Sequence, residues 1–227
     1  MLRKNFAVLV SAVLVASAPA FAIDLKMPSV NKSQGSSAAG STTTGDALAM
    51  QEGVVAKYAE ASRELNTAQT ELLYAFGLKD QAAALEAQAK ALASGATLDK
   101  DAIEKQKKLS DQANAAIQAK LDSGEQLSAE GKAHYAKSLA PYAAAVGITT
   151  KMPNDLSSFS TSAQSQIQSA SMMEKVKVTS KLSAGTYLVK ELPGYSANLL
   201  SCLGKLVSFA KKNQIEVPKD ATAALGN

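Results

Sequence analysis

The chain reads as an all-α protein: an antiparallel helical bundle of about five to six helices with heptad-like seams, set behind a signal peptide and a flexible arm. Three observations predict this class. Apolar residues recur at alternating spacings of three and four, which places them on one side of a helix and lets it zip against another in coiled-coil fashion. Glycines, with serine or aspartate beside them, fall between the periodic stretches, where helices stop and start. The 46% hydrophobic content is rich in alanine, aromatics make up 5% and tryptophan is absent. Such a mixture suits close-packed helices with thin cores. It offers few flat rings on which a base, sugar or flavin would stack.

The first residues bear on location. Arg3 and Lys4 precede the apolar run from Phe6 to Ala18, Pro19 breaks it, and Ala20-Phe21-Ala22 has the small-x-small form of a cleavage site. The run is shorter than the roughly 20 residues that cross a bilayer, so a cleaved secretory signal is the expectation. Ile23 follows rather than a cysteine, which argues against a lipid anchor. The expected organisation is 1–22 signal peptide, 23–45 flexible Ser/Thr/Gly-rich arm and 46–227 single helical domain. The expected location is the periplasm, or the medium where there is no outer membrane. Losing Arg3 and Lys4 lowers the formal charge from +4 to +2 and leaves Arg63 as the sole arginine. That excess is too small, and too poor in arginine, to indicate nucleic acid.

Val54, Tyr58, Ala61, Leu65, Ala68 and Leu72 form the first seam, with Asp46 as a cap near its start. Leu78, Ala82, Leu85, Ala89 and Leu92 resume one residue out of step. Gly77 is therefore either a break, with Asp80 capping a second helix, or a register slip within one long helix; a break is favoured. Asp99 or Thr97 caps the next segment, which is apolar at Ala102, Ile103, Leu109, Ala113, Ala116, Ile117 and Leu121. Ser128 opens a helix with Tyr135, Leu139, Tyr142 and Val146 in line. Gly147 is expected to end it, and Pro141 to kink or restart it. Asn154 or Asp155 caps the following polar stretch. Met173 to Leu182 alternates like a strand at Val176, Val178, Ser180 and Leu182, so a hairpin competes there with a helix running to Leu192. The helical reading is preferred, with Pro193-Gly194 as its break, a last long helix from Tyr195 to Lys212, and a short closing one beginning at Pro218.

The one cysteine, Cys202, lies beside a stripe of Leu199, Leu203, Leu206 and Ala210, so its expected role is packing. On the opposite side Ala197, Ser201, Gly204 and Ser208 recur at four, three and four. Small residues there let another backbone approach closely, which makes this stripe the sequence's interface candidate; a central position in the bundle is the competing explanation. His134, the one histidine, is expected at the surface or a boundary, and Met172-Met173 chiefly as core filling, with an adaptable contact as the other role. No zinc, haem or nucleophile motif is present, so no catalytic, cofactor or metal residue is assigned. The functional expectation is a non-enzymatic exported protein that contacts another protein, or a second copy of itself. The alternative is a carrier of an apolar or amphiphilic ligand held between helices.

Overall fold

The computed structural model describes residues 44–226, apart from 96 and 97, and these belong to one compact unit. The expected signal peptide and nearly all of the expected arm lie outside the described residues, as does Thr97. Eight helices are found among the described residues, and no strand: α1 Thr44–Ala75, α2 Lys79–Ala93, α3 Lys100–Asp122, α4 Ala129–Lys151, α5 Pro153–Ser169, α6 Met172–Lys181, α7 Ser183–Lys212 and α8 Lys219–Ala223.

All six positions of the first seam are buried, none more than 3% exposed. α1 packs most extensively against α4, running the opposite way, so that Phe76 meets Tyr135 while Lys57 reaches forward to Asp155 at the start of α5. α7 runs antiparallel to α4, with the Tyr135 hydroxyl donating to the Leu206 carbonyl at 3.0 Å and Thr149 beside Ser196. α3 lies along both α1 and α7. At one end Phe76, Tyr135 and Phe209 form an aromatic cluster with ring centroids 5.2 to 6.1 Å apart. Edge-on and offset ring pairs of this kind add about 0.5–1.5 kcal/mol beyond burial.

Gly77 is a break. It has φ +72, its N–H reaches the Tyr74 carbonyl, and the Leu78 N–H reaches that of Leu73 at 2.8 Å. This paired pattern closes a helix through a left-handed residue, which glycine adopts without steric cost. Asp80 sits in the first turn of α2 rather than at its cap, and Asp46 likewise lies inside α1. Asp99 and Ser128 do cap, accepting from the N–H groups of Ala102 and Gly131 at 2.8 and 3.0 Å.

Several expected stops are overridden by burial. α4 continues through Gly147 to Lys151 because Val146, Thr149 and Met152 stay on the core side, and it runs unbroken through Pro141. Met152, not Asn154 or Asp155, stands at the N-cap position of α5, and Pro153 and Asp155 both lie in its first turn. Met173 to Lys181 is helical and forms no hairpin. The break falls at Leu182, and α7 continues through Pro193-Gly194, both of which face solvent. A line of Leu188, Leu192, Tyr195, Leu199, Leu203 and Leu206 carries it across. About six kcal/mol or more of apolar burial outweighs the roughly 3 kcal/mol of an interior proline.

Two substitutions report on this packing. A Cβ at Gly185 would lie 2.4 Å from Cζ of the buried Phe159. Gly185→Ala should therefore cost about 1–3 kcal/mol, and Phe159→Leu in the same chain should restore part of that loss. Gln214 ends α7 at φ +57, where a side chain is strained. Gln214→Gly should raise stability by about 1 kcal/mol. Urea unfolding followed by circular dichroism measures both.

Candidate functional site

α6 is the element that the fold covers least. Ser171 starts it in a pairing with Glu174: its N–H and hydroxyl both donate to Glu174 Oε2, at 3.1 and 2.6 Å, while the Glu174 N–H donates to the Ser171 carbonyl at 3.0 Å. None of its residues is buried, and Val178 alone is half-covered. Met172, Met173 and Val176 are 89%, 82% and 74% exposed. At about 100° per residue these three share roughly 100° of arc, with Lys175 and Lys177 on the two flanks and Val178 turned the other way. Both methionines stand outward, so core filling is not their role.

The corner after α6 is fixed from α1. Gln51 donates through Nε2 to the Lys181 carbonyl and accepts at Oε1 from the Gly185 N–H, both at 2.9 Å, while Leu182 is fully buried. Beside this corner lies an open groove of about 800 Å3. Its apolar wall includes Val55, Ala56 and Ala59 of α1 with Leu92, Leu98 and Ala184, and its rim includes Ser180 and Lys181. Ser180 is one turn beyond Val176, so the outward edge of α6 leads to the groove's mouth.

The small-residue stripe of α7 is elsewhere. Ala197, Ser201 and Ser208 are exposed, which removes the central-helix explanation for them. Gly204 is half-buried, and a Cβ there would sit 4.0 Å from Leu225, so the C-terminal segment lies over it.

Cys202 is buried and free. Burial pushes its thiol up, against an opposing hydrogen bond with Tyr142, so the unreactive protonated form is favoured. His134 is half-buried and holds Glu71 across the α1–α4 seam, Nδ1 to Oε2 at 2.7 Å, with its ring against Tyr74. It borders a shallow groove of about 390 Å3, where the Ser128 hydroxyl is already engaged as the α4 cap. Among the described residues no group of three or more His, Cys, Asp or Glu side chains is placed to hold a metal ion, and no helix is long and apolar enough to cross a membrane.

A buried polar layer joins α1 to α3. Gln69 Nε2 donates to Ser110 Oγ at 3.0 Å and to Asn114 Oδ1 at 2.9 Å, Gln106 Nε2 donates to Asn66 Oδ1 at 2.7 Å, and Ser110 Oγ pairs with the Tyr195 hydroxyl at 3.1 Å. Partnering is incomplete: Asn66 Nδ2, Gln69 Oε1, Gln106 Oε1 and Thr70 Oγ1 are buried without a bond. The Tyr58 and Ser62 hydroxyls are buried neighbours that form no well-shaped bond with each other. A half-satisfied layer fixes register more than it adds stability. The seam periodicity did not reveal it, because that period was traced through apolar residues alone, although Gln106 lies on the same face of α3 as Ile103 and Ala113, and Gln69 beside Leu65 and Leu72 on α1.

Comparison of the chain with protein-family models, with curated proteins and with solved structures finds no match. The functional reading therefore rests on the residues themselves.

Burial holds the phenols of Tyr58, Tyr135, Tyr142 and Tyr195 above the ordinary value. In each case the unfolded chain ionises first. The stabilisation is full below about pH 10 and is lost as pH rises beyond it, by about 1.4 kcal/mol per pH unit for each such phenol. Alkaline titration should show ellipticity that holds to about pH 10 and then falls cooperatively, together with the appearance of tyrosinate absorbance. Ionisation of all six tyrosines near the ordinary value, with the helices intact, would contradict the buried arrangement.

Proposed function

We propose that this is an exported, periplasmic, non-enzymatic helical protein that acts by contacting another protein, as an adapter, chaperone-like factor or accessory subunit. Its contact surface is α6 together with the adjoining groove. One observation carries the reading: Met172, Met173 and Val176 stand together in water, while the other apolar residue of the helix, Val178, is turned to the core. Leaving side chains of this size exposed forgoes about 1.5–3 kcal/mol each, and contiguous exposed apolar patches mark interaction sites. Methionines suit such a surface because they adapt to a partner's shape. Export is supported by the order of basic, apolar and small-x-small segments before Ile23.

The carrier alternative draws its support from the apolar wall of the groove and its volume of about 800 Å3. The groove is open to solvent, whereas a carried acyl chain calls for enclosure. The α7 stripe is the weaker interface, since the C-terminal segment already lies over Gly204.

A photocrosslinking residue placed at 176 in intact cells separates these readings, with the same residue at 208 for comparison. The expected outcome is a discrete adduct from 176, identified as one protein by mass spectrometry, with little from 208. A lipid adduct at 176, or none, would contradict the contact role.

A further inference from the structure

We infer that the partner presents an amphipathic helix with acidic flanks, laid along α6 and reaching the mouth of the groove beside it; this rests on the contact reading above. Shape supplies the first argument. The apolar edge of α6 and the groove are not separate patches, because Ser180, one turn past Val176, forms part of the groove's rim. Ten residues of helix span about 15 Å, so an elongated, rod-like ligand matches the edge of α6.

Charge supplies the second. Lys175 and Lys177 flank the apolar edge and Lys181 stands where it meets the groove, all three exposed, whereas the groove itself sets Glu52, Glu60 and Asp99 against Arg63 and Lys100, so the basic bias belongs to α6. The one carboxylate of α6, Glu174, is committed to the cap at Ser171. A partner helix seated on Met172, Met173 and Val176 therefore has its own flanking positions beside lysines, and glutamate or aspartate there complements them. The same argument disfavours a second copy of this chain, since two α6 edges face to face bring lysine against lysine. A lipid surface would cover the three apolar side chains but gives no role to the groove.

The test uses the full mature chain and a labelled 15-residue helical peptide with leucine at i, i+4, i+7 and i+11 and glutamate at the flanking positions. A matched peptide carries lysine at those positions, and vesicles of phosphatidylcholine with phosphatidylglycerol form a third arm. Fluorescence anisotropy should show the glutamate peptide binding at least tenfold more tightly than the lysine peptide, with the difference shrinking as salt is raised. Val176→Glu, at an exposed position that leaves the core untouched, should weaken the glutamate peptide at least tenfold. Lys175→Glu with Lys177→Glu should reverse the peptide preference. Equal binding of both peptides, binding of neither, or Val176-dependent uptake by vesicles would each overturn the inference. If position 176 crosslinks one protein in cells while both peptides fail, the contact role stands and the acidic helix falls. If the crosslink is absent as well, both fall.

Discussion

Everything in this fold depends on α1 being buried along nearly its whole length. Its apolar seam of Val54, Tyr58, Ala61, Leu65, Ala68 and Leu72 is buried in the core of the bundle; an adjacent side meets α3 through Asn66 and Gln69. The first contact is dry and close, and truncating one of its buried leucines would cost about 2–5 kcal/mol. The second is polar and only partly satisfied, so it contributes orientation rather than net energy. α4 in turn carries α7, through the Tyr135–Leu206 bond and the aromatic cluster. The other helices are added to this three-layer frame.

α6 is what the frame leaves over. It is attached at its C-terminal end by buried Leu182 and by the Gln51 clamp, and along its length by Val178 alone. A helix of ten residues has little intrinsic stability in water, so the Ser171–Glu174 cap matters more here than it would in a longer one. The same economy of contact that makes α6 marginal frees its outer edge to meet something else. Stability and accessibility trade against each other along this one short segment.

The sequence exposed the fold and concealed the site, for physical reasons. Seams built from leucine, alanine and tyrosine were legible because burial against one neighbour imposes a simple period. The Gly77 turn was legible because a left-handed residue there demands glycine. Gly147 and Pro193-Gly194 misled because local stop signals of about 1 to 3 kcal/mol yield to a long buried face. Met172 and Met173 misled for the opposite reason: an apolar pair looks the same in sequence whether a partner comes from the same chain or from outside. The stripe of Ala197, Ser201, Gly204 and Ser208 was legible as unusual, but small residues do not themselves reveal that Leu225 lies over one of them.

Native-state hydrogen exchange on the isolated monomer tests the central claim most directly. If the α1–α4 seam holds the fold and α6 is left uncovered, amides of residues 58–72 should exchange only with global unfolding, while those of α6 exchange faster by on the order of a thousandfold or more. Protection of α6 equal to that of α1 would contradict the account, because it would mean that the outward edge is already covered within the monomer.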